Sequence, residues 1–451
     1  MNIAATPVAP FSGQPLLVFL LDIAVLLGCA FVLGRLAVRI GLPAIVGELS
    51  AGVILGPSIL GHVAPGFSDW LLPRDAASIN LVDGVGQIGV LLLVALTGAH
   101  LDLNLIRRRA ATTAKVSSAG LIVPLALGVG LGLVLPATLH GENADPIVFA
   151  LFLGVAMCVS AIPVIAKTLV DMRLLHRDIG QLILASSTID DAFGWLMLAV
   201  VSALATTGLA GTDVAMAVGN LVLVVAFACT IGRFLVRRAM RLAYRSGEPV
   251  AAVAVPVVLI LLSAAGTHAL HLEPVVGAFL CGIIIGSCRD VDRGWTQPLN
   301  AVVLSVLAPI FFATAGLRMD LTALLRPDVA LAGFAVVTLA IVGKFLGAWI
   351  GALISGLTRW EALALGGGMN ARGVIEVIIA MAGVRLGLLS TEMYTIIVLV
   401  AVVTSVMAPP VLRFAMNRVE QNASEHLRER DLFPTSPGHR TAVGSTATAA
   451  D

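Results

Sequence analysis

Long apolar stretches separated by short polar ones occupy almost the whole chain. Most are close to the ~20 residues that a helix needs to cross the hydrocarbon layer of a bilayer. The pattern therefore predicts an all-α polytopic membrane protein with about 13 transmembrane helices. The runs cover roughly 16–38, 43–58, 83–102, 113–136, 146–170, 178–206, 213–240, 249–270, 274–288, 297–317, 328–356, 361–386 and 391–416.

Composition and charge agree with this prediction. Hydrophobic residues make up 58% of the 451 positions, charged residues only 12%, and the formal net charge is +1. Such a chain lies mostly in a lipid bilayer, and its balanced charge gives no reason to expect a nucleic-acid partner. We expect an extracytoplasmic segment over 1–15 and a disordered cytoplasmic tail over 417–451. Most Lys and Arg residues then lie inside, which predicts a multi-pass protein of the cytoplasmic membrane with its N-terminus outside and its C-terminus inside.

Two glycine-rich stretches match each other along the chain. Residues 47–56 and 277–286 carry glycines at identical spacing, and a second matching pair, 95–103 and 313–321, follows each in the same order. An odd number of helices separates corresponding members, so the two six-helix halves would insert with opposite orientation, joined by a linker helix at about 213–240. Inverted repeats of this kind are typical of secondary transporters.

Two adjacent carboxylates, Asp190 and Asp191, lie in the middle of an apolar run. One carboxylate at the bilayer centre costs ~2.5–3.5 kcal/mol, so a pair indicates an ion pathway or a proton relay. Neighbours on a helix point about 100° apart, so we expect one to face a structural cation and the other a cavity, where it holds either a proton or a metal ion. The alternative, a helix end at the interface, fits poorly because apolar sequence continues beyond Asp191.

Two other runs contain helix breakers at mid-membrane depth. Residues 160–163 include Ser160 and Pro163, and residues 366–373 include four glycines and Asn370. Proline removes a hydrogen-bond donor and glycine weakens a helix, so each segment can unwind and expose backbone carbonyls and charged half-helix ends. Two broken helices that cross beside the aspartates would form an ion site at the midplane. For either segment alone, a kink without a site is the simpler alternative.

Four further charges lie in apolar runs. Lys344 needs an anion, and the aspartate pair can supply one. Arg372 and Glu376 stand four residues apart on one helix and can neutralise each other, which favours a structural role for them. Glu48 in the second run has no evident partner, and it either lines the route of the ion or reaches the membrane interface.

Together these stretches resemble the monovalent cation/proton antiporter superfamily, in the branch that includes bacterial sodium/proton and potassium/proton exchangers and plant cation/proton exchangers. The similarity spans about 16–416. It rests on residues 47–61, 160–164, 189–191, 309–317, Lys344 and 369–376.

The resemblance implies a homodimer in which each chain holds a gate part and a core part. The gate part covers about 16–102 and 249–317, and the core part, about 113–206 and 328–416, moves like an elevator.

By position, the resemblance implies roles for the site residues. Asp191 would bind the transported Na⁺ or K⁺ and the proton, and Asp190 would pair with Lys344. The residues implied to complete the ion site or support the broken helices are Ser160, Pro163, Asn370, Arg372 and Glu376. In the family an Asp-Asp pair with this lysine accompanies electrogenic exchange. We expect neither a cofactor nor enzymatic activity.

Other functions stay open at this point. A channel is one, although inverted repeats and a titratable midplane site favour alternating access. An intramembrane aspartyl protease would need its two aspartates on facing helices, whereas here both lie on one. The same fold could also export an organic cation or a cation–ionophore complex, and the sequence does not distinguish Na⁺ from K⁺.

Overall fold

The structure is a computed structural model that describes residues 13–71, 76–100, 110–142, 144–207, 211–245, 248–288, 296–422 and 425–426. The described residues form helices and no β-strand. The principal helices are α1 Gly13–Arg39, α2 Ala44–Leu55, α3 Ala76–Ala99, α4 Ala110–Val134, α5 Pro146–Cys158, α6 Ile162–Asp171, α7 Asp178–Thr207, α8 Gly211–Phe227, α9 Arg233–Arg245, α10 Pro249–Ala269, α11 Pro274–Gly286, α12 Thr296–Val302, α13 Ala308–Leu317, α14 Pro327–Ile354, α15 Arg359–Met369, α16 Val374–Arg385 and α17 Thr391–Met416.

The all-α polytopic prediction is confirmed. In the described part of the chain, 10 helices are long and apolar enough to cross a membrane, or 11 if α15 and α16, bent by 44° at their break, count as one span. The apolar helices α5 and α11 are shorter, with 13 residues each. They fall in two of the predicted runs, so the count of thirteen stays a prediction.

One set of helices, which we call the first helix group, comprises α1–α3 and α10–α13. Its glycine-rich helices approach their neighbours at backbone distance: a Cβ at Gly52 of α2 would overlap the carbonyl of Ala313 in α13, and one at Gly282 of α11 would overlap that of Ala95 in α3. Small residues allow such contacts between membrane helices. Corresponding glycines thus make corresponding contacts, as the predicted inverted repeat requires; the repeat itself stays a prediction.

The second helix group comprises α4–α7 and α14–α17. It too is packed through small residues, since Gly347 of α14 lies against the backbone of Ala119 in α4, and Gly128 of α4 lies against Gly154 in α5. Helix α7, which carries the aspartates, contacts α4, α5, α6 and α15. These contacts place α7 beside both predicted breaks.

Both breaks are present, and they cross. Helix α5 ends at Cys158 and α6 begins at Ile162, with extended backbone between them. Helix α15 ends at Met369 and α16 begins after Gly373, whose φ of +158° favours glycine. The backbone N–H of Ala161 donates to the carbonyl of Ala371 at 3.1 Å, which joins the two extended segments.

The start of the expected disordered tail is ordered. Glu425 is buried, and its carboxylate lies 3.2 Å from Arg177 Nε in the connection between α6 and α7. Arg177 also donates to the carbonyls of Val419 and Glu420, at 2.8 and 3.1 Å. This buried ion pair fixes the segment because each charge would be costly without the other. The expectations for 1–12 and for 427–451 fall outside the described residues.

Candidate functional site

Helix α7 presents two fully buried carboxylates to the crossing of the broken helices. Asp190 and Asp191 are both 0% exposed. They differ in their surroundings, as expected for neighbours that point about 100° apart on a helix.

Asp190 is fully engaged by protein groups. Lys344 Nζ lies 2.5 Å from its Oδ2, Ser117 Oγ donates to its Oδ1, and Ser160 Oγ lies 3.1 Å from its Oδ2. A buried carboxylate is stable only with such partners. The ion pair between Lys344 and one aspartate, which the sequence leads us to expect, is therefore present with Asp190.

Two positively charged side chains donate hydrogen bonds to the C-terminal end of α5. Lys344 Nζ donates to the carbonyl of Cys158 at 2.5 Å, and the Arg372 guanidinium donates to the carbonyls of Ala156 and Met157. The last carbonyls of a helix have no partner within it and carry partial negative charge. Lys344 and Arg372 thus compensate the half-helix that the break exposes.

Arg372 also connects three helices of the second group. Its guanidinium lies 3.3 Å from Glu376 Oε1 and donates to the carbonyl of Ala340 at 3.0 Å. Asn370 Nδ2 donates to the carbonyl of Ile341 at 3.0 Å, and Ser405 Oγ donates to the carbonyl of Arg372. The polar groups of this break are thus held by fixed contacts to α14 and α17.

Asp191, in contrast, has an unsatisfied carboxylate. Neither of its oxygens has a hydrogen-bond partner among the described residues. The backbone N–H of Ile162, at the positive end of α6, interacts favourably with it. Buried polar atoms are almost always satisfied, so an exception indicates a functional group or an absent ligand. A carboxylate in this position can take a proton or a monovalent cation.

A cavity of about 520 Å³ lies between the two helix groups, and we call it the Glu48 cavity. Its walls include Ile45 and Glu48 of α2, Val164 at the start of α6, Val374 at the start of α16, and Arg413 near the end of α17. Because Val164 and Val374 lie in the first turns of α6 and α16, the cavity reaches the neighbourhood of the crossing. Asp191 itself is not among the lining residues.

On the side where α16 ends and α17 begins, the two helix groups are in direct contact. Arg385 Nη2 lies 3.2 Å from Glu273 Oε2, and the hydroxyl of Tyr394 donates to the carbonyl of Ala315 at 2.6 Å. The backbone N–H of Asp320 donates to Thr395 Oγ1 at 3.0 Å. The groups are thus closed on this side and separated by a cavity on the other.

The structure brings the predicted site residues together around the crossing, apart from the side chain of Pro163, which lies outside the described part; its backbone belongs to α6. Sequence reasoning missed Ser117 and Ser405. Serines are common in membrane helices, so only their position beside the charged cluster distinguishes them. The roles in transport of the predicted site residues stay predictions.

Comparisons with known proteins agree with this architecture. Residues 23–418 match the family model described as sodium/hydrogen exchanger, transmembrane. The Na(+)/H(+) antiporter NhaS4 of Synechocystis sp. is 30% identical over 402 residues, 88% of this chain and 97% of that protein. Cation/H(+) antiporter 19 of Arabidopsis thaliana is 28% identical over 82% of this chain, which spans about half (46%) of the length of that relative.

A solved structure shares the fold. The sodium proton antiporter MjNhaP1 from Methanocaldococcus jannaschii superposes with a TM-score of 0.64 over 89% of this chain and 99% of that chain, at 16% identity. The matched family model covers most of the chain, and the fold is that of a known antiporter. The chain therefore belongs to the transmembrane sodium/hydrogen exchanger family, whose named members are antiporters and not enzymes.

Proposed function

We propose that the protein exchanges a monovalent cation, Na⁺ or K⁺, for protons across the cytoplasmic membrane, with its N-terminus outside and its C-terminus inside. It works as a homodimer, and Asp191 binds both the cation and the proton. Relatives are named for Na(+)/H(+) and for K(+)/H(+) antiport, which supports either cation.

One observation carries the proposal: among the described residues, Asp190 has an ion-pair partner and side-chain hydrogen bonds, whereas the adjacent buried carboxylate of Asp191 has neither. A carboxylate already paired with Lys344 has little tendency to take a second cation. Asp191 is the remaining acid at the crossing, so cation and proton compete for it. Ser160, whose hydroxyl is 3.0 Å from the carbonyl of Met369 and 3.1 Å from Asp190, is placed to contribute an oxygen ligand.

Coupling follows from the cost of a bare charge. The wall that the first helix group presents to the Glu48 cavity includes the apolar residues Ile45, Leu93 and Phe312, and its one acid, Glu48, offers a second carboxylate no compensation. An empty Asp191 carboxylate beside Asp190 would be costly to carry past such a surface, whereas one that holds either a proton or a cation is neutral. The site therefore crosses only when loaded, and each crossing in one direction must be balanced by a loaded return.

The motion that moves the site is an elevator movement of the second helix group against the first. Contact on the Arg385 side and a cavity on the Arg413 side support this assignment, because they describe one of two alternating states. In the other state the contacts of Arg385, Tyr394 and Thr395 across the interface would be broken, and the Glu48 cavity would be closed. A channel would instead need a path open on both sides at once.

The test is proton movement in proteoliposomes that carry a pH-sensitive dye, with Na⁺, K⁺ or Li⁺ added separately. Asp191→Asn should abolish cation-dependent proton movement while the protein still folds. The matched control is Asp328→Asn. Asp328 is an acid on α14 whose side chain is 53% exposed, whereas Asp191 is fully buried. Exchange at the wild-type rate in well-folded Asp191→Asn would rule out the assignment.

The same assay addresses the second candidate, export of an organic cation or a cation–ionophore complex. If none of the three inorganic cations moves protons but an organic cation does so in an Asp191-dependent manner, the mechanism would hold with a different cargo.

A further inference from the structure

Glu48 is an acid in a membrane helix, and the proposed exchange mechanism gives it no role. It lies on α2, in the first helix group, and lines the Glu48 cavity. Its carboxylate has no hydrogen-bond or ion-pair partner among the described residues. Ionisable residues within membrane segments are rare because of their cost, and those that face a cavity mark ion pathways.

The backbone around Glu48 leaves room for it. Glu48 packs against α1 at Gly34, where a Cβ would lie 3.3 Å from Glu48 Cγ and 3.6 Å from its Oε1. Any side chain at Gly34 would therefore crowd the glutamate. The half-buried glutamate is held on the wall of the cavity, with its stem against α1.

Residues close to Glu48 lie beside the broken helices. Ile45, one turn earlier on α2, is a neighbour of Gly373, where its Cδ1 would lie 3.8 Å from an added Cβ. Val164, in the first turn of α6, and Val374, the first residue of α16, line the same cavity as Glu48. An ion in this cavity would thus have Glu48 on one side and the approach to the crossing on the other.

The other charged residue among those that line the cavity is Arg413, on the opposite wall formed by the second helix group. Its positive charge repels a cation, and the remaining lining is apolar apart from Thr168. A low-dielectric cleft focuses the field of its few charges. Without Glu48 the cavity would have a net positive charge and would exclude the ion that the proposed function requires.

We propose that Glu48 forms a second, transient binding site for the transported monovalent cation, located in the Glu48 cavity between bulk water and Asp191. The inference rests on the proposed function and extends it. Because Glu48 belongs to the first helix group, which stays in place during an elevator movement, its site serves loading and release on one side of the membrane only. Glu48 raises the local cation concentration and does not travel with the ion.

The experiment measures cation-dependent proton movement in vesicles of both orientations, with the cation added either on the cavity side or on the opposite side. Glu48→Gln should raise the KM for the cation about fivefold on the cavity side, with kcat within about twofold of the wild type and no change on the other side. Glu48→Asp keeps the charge and should restore a KM close to the wild-type value.

Two further variants separate electrostatics from packing. Arg413→Gln should lower the cavity-side KM, because it removes the opposing charge. Glu420→Gln removes an exposed acid that lies outside the cavity lining and serves as the matched control, with KM unchanged. Raising the concentration of an impermeant salt should reduce the difference between the wild type and Glu48→Gln, since salt screens a charge that is partly exposed to solvent.

An unchanged KM in Glu48→Gln, or an equal rise on both sides, would overturn the inference while Asp191-dependent exchange continued. If Glu48→Asp were as impaired as Glu48→Gln, a negative charge on this wall would not be sufficient to raise the local cation concentration, and the inference would be overturned. Absence of Asp191-dependent exchange in the wild type would instead refute the proposed function and this inference with it.

Discussion

Lys344 is the residue whose replacement tests the charged cluster most directly. Its side chain is fully buried, and its ammonium donates to Asp190 and to the carbonyl of Cys158. Lys344→Met keeps most of the length of the side chain and removes the charge. Asp190 would then keep only its serine contacts, and the end of α5 would lose one of its two compensating cations.

The expected loss of stability is large for one side chain. Removing one partner of a buried ion pair costs ~3–5 kcal/mol, because the other charge stays buried without compensation. For a chain of this size such a loss should lower the Tm by about 5 °C or more. Lys115→Met, which removes a lysine on the exposed face of α4, is the matched control and should leave the Tm almost unchanged.

The double variant Asp190→Asn/Lys344→Met distinguishes a paired charge from a general packing effect. With both charges removed, no bare ion is left in the core, so the double variant should be more stable than Lys344→Met alone by ~2 kcal/mol. The assay is thermal unfolding of purified protein in detergent, in which size-exclusion chromatography measures the folded fraction after heating. A Tm of Lys344→Met equal to that of the wild type, or a double variant that loses the sum of the two single effects, would refute the reasoning.

Three other outcomes are expected. Transport should be electrogenic if the Asp190–Lys344 pair releases a second proton in each cycle: two protons then cross per cation and one net charge moves, worth ~2.3 kcal/mol per 100 mV, so potentials of opposite sign without a pH gradient should drive cation uptake unequally. Uptake indifferent to the sign would mean one proton per cation, with Asp190 paired throughout. Arg177→Ala should destabilise by ~3 kcal/mol in thermal unfolding, because it leaves buried Glu425 unpaired; an unchanged Tm would contradict this. Gly52→Val should prevent folding or lower the Tm strongly, since its side chain would overlap the backbone of Ala313; normal folding would show that α2 and α13 can separate.

The sequence alone determined much of the architecture, because a bilayer leaves a chain few options. Apolar runs of spanning length predict helices, since every backbone group in lipid must be satisfied within the segment. Lone charges such as Lys344 stand out for the same reason, and so do the breakers at 160–163 and 366–373. Charges and helix breakers in apolar runs are rare because they are energetically costly, so the sequence alone identifies them as candidates for a functional site.

Only the tertiary structure decided which partners these charged residues contact. Helical geometry shows that Asp190 and Asp191 differ in direction, but the rotation of α7 against its neighbours decides which one meets Lys344, and that rotation depends on packing across the whole second helix group. Ser117 joins the site from a distant helix, with nothing in its local sequence to distinguish it. The Glu48 cavity likewise exists only through the separation of two helix groups. The docking of Glu425 on Arg177 pairs two charges distant along the chain, and no local pattern encodes such a contact.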